Sequence, residues 1–233
     1  MKPGAQARTA GFLYLIVILT GGWAQLFVRM QLIIRDDAAA TAHNIMAHGS
    51  LYRAGLVADL VSAATYVGVT ALLYAVLQPA GKGLSRLAVL FSLAGCSIMA
   101  GNLVNLVAPL LLLGDAPLAL PLPADELQAL GLLFLRLQVY GYLIAVVFFG
   151  LYCFTLGCLI VRSLFLPHIL GLLLMLGGLC YLANSGAAFL APAVATKVSA
   201  YLLALPGIAE IALALWLAIF GVNTGKWLEQ AKR

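Results

Sequence analysis

The chain has 233 residues, of which 64% are hydrophobic and 9% charged, with a mean hydropathy of +1.07 and a formal net charge of +5. Soluble domains carry roughly a quarter charged residues, so this composition excludes an ordinary water-soluble fold. The basic residues flank apolar runs and form no patch, which excludes a nucleic-acid-binding face and makes them topology signals.

A helix needs about 20 apolar residues to cross a bilayer, and only helices or closed barrels satisfy their backbone there. The apolar runs are continuous and leucine-rich, without the alternation of barrel strands. They predict an all-α integral membrane bundle of about six transmembrane helices with short outer-surface helices. The whole chain, 1–233, reads as one transmembrane domain.

The first span is expected over Ala10–Phe27. Gly22-Trp23-Ala24 has the small-residue character of a cleavage site, but the segment reads as a signal anchor. Asp36 and Asp37 precede an alanine-rich stretch, which predicts a short outer helix ended by Gly49. The second span follows over Ala54–Leu77 and closes at the breakers Gln78-Pro79-Ala80-Gly81. The third covers Leu84–Leu113. Pro117, Pro121 and Pro123 then enforce a loop.

Leu127–Val161 is 35 residues long, roughly 52 Å as a helix, which exceeds one perpendicular crossing. The crossing is placed at Gly141–Val161, with the earlier part projecting or lying on the surface. Spans at Pro167–Ala188 and Ser199–Val222 complete the set.

With both termini inside, inner segments carry eight basic residues (Lys2, Arg8, Lys82, Arg86, Arg162, Lys226, Lys232, Arg233) against five outside (Arg29, Arg35, Arg53, Arg136, Lys197). Every short inner connection is basic, the arrangement expected of an inner-membrane protein with cytoplasmic ends. A shift of 82 residues lays Gly95 on Gly177 and Asn102 on Asn184, which raises a weak direct repeat over 54–106 and 137–188.

Five polar groups are costly in lipid: Glu210 near the midplane, Asn102 and Asn184 in the outer half, Asn105 and Asp59 near the outer edge. A buried carboxylate costs several kcal/mol, so it faces protein or water and finds a partner. The expectation is a polar ligand-binding pocket opening outward and lined by Glu210, Asp59, Asn102, Asn105 and Asn184, with Glu210 as a neutral donor at its floor. On that reading Glu210→Gln preserves folding and binding. Pro206, four residues before Glu210, frees the Leu202 carbonyl and bends the helix.

Each group also has a plainer role. Asn102 and Asn105 suit interhelical hydrogen bonds, Asp59 suits a pair with Arg53, and Arg136 suits snorkelling to headgroups. The four cysteines, Cys96, Cys153, Cys158 and Cys180, read as small packing residues.

No HExxH, GxSxG or Walker pattern is present, and the histidines His43, His48 and His168 do not cluster. No catalytic residue, metal or cofactor is therefore expected, and the chain reads more readily as a non-enzyme. The leading expectation is a small-molecule or lipid binder, sensor-like or permease-like. The alternative is a structural or accessory subunit, as a homo-oligomer or in a larger membrane complex. An intramembrane hydrolase ranks last, since only His168 borders a span.

Arg53-Ala54-Gly55-Leu56-Val57-Ala58-Asp59-Leu60, Tyr140-Gly141-Tyr142-Leu143-Ile144 and Phe148-Phe149-Gly150-Leu151 form an ordered set. Arg162-Ser163 with Leu166-Pro167, and Ile169-Leu170-Gly171, continue it. In this order and spacing the motifs resemble the bacterial multi-pass membrane family called domain of unknown function 4386, from about Ala7 to Gly221. The resemblance implies a multi-pass topology and assigns no site.

Overall fold

The computed structural model describes residues 2–113 and 121–232. The first part of the proline-rich connection, 114–120, and the terminal Arg233 lie outside the described residues. All regular structure among the described residues is helical. Six helices are long and apolar enough to cross a membrane: α1 (Pro3–Leu32), α3 (Gly49–Ala80), α4 (Lys82–Leu113), α5 (Ala124–Arg162), α6 (His168–Leu190) and α7 (Pro192–Ile219). Two shorter helices, α2 (Ala38–Ala47) and α8 (Thr224–Ala231), complete the set.

Several helices extend beyond the apolar runs, because polar residues such as Lys82 and Glu126 continue a helix as readily as apolar ones. The first helix starts at Pro3 rather than near Ala10 and passes through a π-helical turn at Ala24–Arg29. The long fourth segment is one unbroken helix of 39 residues, with no interruption at Gly141. As anticipated, Asp37 caps α2, its Oδ1 accepting from the Ala40 N–H at 2.8 Å.

Pro109 lies inside α4 and leaves the Asn105 carbonyl without a helical donor; the regular helix is interrupted near Leu103. A single residue, Ala191, separates α6 from α7, whose first position is Pro192. Gly221 ends α7 with a φ of +68°, a left-handed turn that glycine adopts without steric cost.

Helix α8 was not foreseen. Its Trp227 Nε1 donates to the Val76 carbonyl at 2.7 Å, and Gln230 Nε2 donates to the Arg162 carbonyl at 3.0 Å. Both acceptors lie in the closing turns of their helices, where carbonyls lack regular partners. The short helix thus caps the ends of α3 and α5.

The chain divides into two compact units. The first comprises Met1–Ile16, Thr65–Ser97 and Leu143–Arg233; the second comprises Val17–Ala64 and Ile98–Tyr142. Within the first unit the helices meet through glycine. A Cβ built on Gly157 would sit 2.5 Å from the Gly171 carbonyl oxygen, and one on Gly171 would sit 2.7 Å from that of Gly157. The relation repeats two turns away, where Gly150 and Gly178 oppose each other's carbonyls at 2.9 and 2.5 Å.

These reciprocal pairs press α5 against α6 backbone to backbone. A Cβ built on Gly177 would sit 2.9 Å from Pro206 Cα of α7, and Gly11 of α1 seats against Ala214 and Ala218 of α7.

The second unit is built differently. Its apolar core gathers Val28, Leu32, Ile45, Tyr52, Leu103, Leu106 and Leu135.

Because backbone atoms rather than flexible side chains oppose these glycines, Gly157→Ala and Gly178→Ala should each cost about 1–3 kcal/mol through overpacking. Gly101→Ala, whose added methyl meets nothing within 4 Å, should be neutral or slightly stabilising. Thermal unfolding of the three variants in one detergent checks the contrast.

Candidate functional site

In the first unit, α7 carries Glu210 between its two long apolar stretches, half-buried. The Tyr181 hydroxyl of α6 donates to Glu210 Oε1 at 2.8 Å, and the Tyr14 hydroxyl of α1 donates to Oε2 at 3.0 Å. The Cys153 thiol of α5 approaches Oε1 at 3.8 Å. Among the described residues, no Lys, Arg or His pairs with this carboxyl. Each carboxyl oxygen thus has a phenol hydroxyl as its hydrogen-bond partner.

Each group at this site lies one helical turn from a close interhelical contact. Tyr14 follows Gly11, Cys153 follows Gly150, Tyr181 follows Gly178 and Glu210 follows Pro206. Residues three or four apart share a helix face, so the glycine contacts that hold the backbones together also present these side chains.

Behind the carboxyl stands an aromatic cluster. Tyr66 meets Tyr14 edge-on at a centroid distance of 5.6 Å, Phe149 at 5.1 Å and Tyr152 at 6.1 Å. The Tyr14 and Tyr66 hydroxyls lie 3.4 Å apart.

Asn184 belongs to the same unit and lies one turn from Tyr181 on α6. It is buried, at 1% exposure, and its Oδ1 accepts no hydrogen bond from the described residues. The neighbouring Ser185 donates to the Leu143 carbonyl at 2.9 Å. Elsewhere in the unit, a cavity of about 10 Å³, roughly one water, is lined by Thr70, Ser85 and Tyr152 among apolar residues.

The remaining three expected site residues lie in the second unit. Asp59 pairs with Arg29 rather than with Arg53, both side chains being largely buried. Arg29 Nε also donates to Gln25 Oε1 at 2.8 Å. Both Gln25 and Arg29 lie in the π-helical turn, which gives this stretch of α1 a different facing from a regular helix. Nearby, Tyr52 donates to the Leu106 carbonyl at 2.9 Å, and Gly55 lies against Val28.

Asn102 Nδ2 donates to the Gln138 carbonyl of α5 at 2.7 Å, while its Oδ1 accepts from Asn105 Nδ2 at 2.8 Å. Gly141 makes room for this contact, since a Cβ there would overlap the Asn102 amide. Arg136 pairs with Asp36 at an exposed position. Among the described residues, no three His, Cys, Asp or Glu side chains come together in a metal-holding group.

Sequence reasoning named Glu210 and Asn184 but not Tyr14, Tyr181 or Arg29. The phenols gave no separate signal among the chain's 22 aromatic residues, while the Arg29 contact depends on a π turn. A polar residue one turn from a glycine was the one local clue.

With this geometry established, comparison with known proteins concerns the scaffold. The family described as a domain of unknown function, DUF4386, matches residues 9–221. The chain belongs to the DUF4386 family. No curated protein and no solved structure gives a significant match. The glycines in the motifs quoted above include Gly55, Gly141, Gly150 and Gly171, each held against a neighbouring helix. What marks this DUF4386 chain in sequence therefore includes the places where its helices pack closely.

The Arg29–Asp59 pair yields a direct test. Asp59→Ala leaves a largely buried guanidinium unpaired and should cost about 3 kcal/mol. Arg29→Met combined with Asp59→Leu removes both charges and should cost clearly less than the single change. A double-mutant cycle of unfolding free energies measures the difference.

Proposed function

We propose that this DUF4386 chain is a bacterial inner-membrane binder of a small molecule or lipid, acting as a sensor or permease, with Glu210 at the centre of its site. The observation that carries the reading is a mid-span carboxyl surrounded by Tyr14, Tyr181 and Cys153 without an ion-pair partner among the described residues. Such a group in lipid costs several kcal/mol unless it serves a partner, and a purely packing role is met as well by an apolar side chain.

Within this reading Glu210 and Asn184 face the ligand. Asp59, Asn102 and Asn105 hold the second unit together, because their hydrogen-bonding capacity is engaged by Arg29, the Gln138 carbonyl and one another. The site opens outward, with both termini cytoplasmic. The excess of basic residues on the segments that would lie inside supports this orientation.

Binding is tested by thermal shift of the full chain against a panel of cationic, neutral and anionic small molecules and lipids. A ligand at 100 times its Kd stabilises by about 2.7 kcal/mol. At least one compound should stabilise the wild type and stabilise Glu210→Gln less. No stabilising compound, together with constant co-purification of other subunits, favours the accessory-subunit reading instead.

Orientation is tested separately with reporter fusions. Fusions after Arg162 and at the C-terminus should report a cytoplasmic location, and a fusion within the 114–120 connection a location outside. The opposite pattern overturns the orientation.

A further inference from the structure

Resting on the reading of Glu210 as the centre of a binding site, we propose that the ligand is an amphiphilic organic cation, its ammonium group held at the Glu210 carboxyl. Three independent features of the first unit point to that chemistry.

The first is the balance of donors and acceptors. Both Glu210 oxygens act as acceptors, and Asn184 Oδ1, one turn from Tyr181, is a fully buried acceptor with no donor among the described residues. An unmet buried acceptor carries the full desolvation cost of that group. A ligand rich in N–H donors relieves this cost and also supplies the positive charge that the carboxyl lacks. A bound ammonium favours the ionised form of the carboxyl, which an anion or a neutral ligand does not.

The second feature is the aromatic cluster. Tyr14, Tyr66, Phe149 and Tyr152 gather around one side of the site, with ring centroids 5.1–6.1 Å from that of Tyr66. Aromatic faces attract ammonium ions through their quadrupole, more strongly when water is excluded. Hydroxyl donors at the carboxyl and aromatic rings beside it form a suitable environment for an alkylammonium group.

The third feature is the apolar rim. Gly207, one turn before Glu210 on α7, has nothing within 4 Å of a built Cβ, so space remains on that face. The Glu210 face of α7 is otherwise apolar, with Leu203, Pro206 and Leu213 one or two turns away. A ligand with an apolar body fits this rim better than a hydrated inorganic cation. Glu210 lies nine residues from Ile219, about 14 Å along the helix, which is deep for a lipid headgroup. The ammonium therefore comes from a free amine.

The test uses 2-phenylethylamine and its neutral counterpart 2-phenylethanol with the full chain in phosphatidylcholine nanodiscs, binding being followed by equilibrium dialysis. The amine should bind the wild type saturably and at least tenfold tighter than the alcohol. Glu210→Gln should remove most of that preference, and Asn184→Leu should weaken amine binding severalfold. Tyr181→Phe, which leaves the carboxyl in place, provides a second reading if Glu210→Gln lowers the folded yield, and should also weaken the amine severalfold.

Equal binding of amine and alcohol, or an amine affinity unchanged by all three substitutions, overturns the proposal. Competition by phosphatidylethanolamine added to the nanodiscs assigns the ammonium to a headgroup and overturns the free-amine form. Glu210-dependent binding of only neutral or anionic compounds from the panel rejects the cation while leaving the binding-site reading intact. Absence of any Glu210-dependent ligand rejects both.

Discussion

The close approach of α5 to α6 at two reciprocal glycine pairs is the constraint on which the first unit depends. In lipid the hydrophobic effect does not drive helices together, because acyl chains solvate leucine as well as another helix does. Attraction must come from close packing and from interhelical hydrogen bonds. Gly150 with Gly178 and Gly157 with Gly171 allow the two backbones to meet without side chains between them. Their seven-residue spacing keeps both pairs on one face of each helix, close to two full turns.

That constraint carries over to the chemistry. The α5–α6 contact sets the positions of Cys153 and Tyr181, each three residues beyond a contact glycine. Pro206 against Gly177 sets α7, and Glu210 lies one turn further on. Gly11 against Ala214 and Ala218 sets α1 and hence Tyr14. The carboxyl environment is thus assembled from four helices whose separations are fixed by backbone contact rather than by adaptable side chains. Rigid backbone placement of this kind holds a small set of polar groups at fixed distances, which selective binding requires.

The sequence made the spans legible because length and hydropathy report directly on the bilayer. It also exposed the Asp37 cap, where local chemistry is sufficient. It did not expose α8, whose eight mostly polar residues are far too short to span a bilayer and whose role is to cap α3 and α5 through Trp227 and Gln230. Nor did it give the partner of Asp59. Arg53 was nearer in sequence, whereas Arg29 reaches Asp59 from a π turn that composition does not signal. Glu210 and Asn184 were conspicuous as isolated polar residues in apolar runs. Their neighbours were hidden, because Tyr14 and Tyr181 matter through tertiary placement alone.

Family motif and candidate site occupy different residues, and the difference is physical. The DUF4386-like motifs in this chain contain Gly55, Gly141, Gly150 and Gly171, whose added methyls would collide with neighbouring helices. They also contain Asp59, which is paired, and the Arg162–Pro167 turn, which receives Gln230. Such positions specify how helices meet. Glu210, Asn184, Tyr14 and Tyr181 lie outside those motifs, on faces that the scaffold presents but does not dictate. Replacing Glu210 by another residue of similar size would leave all of the glycine contacts in place. The glycine contacts therefore determine where these side chains sit, one turn along each helix, and leave their identities free.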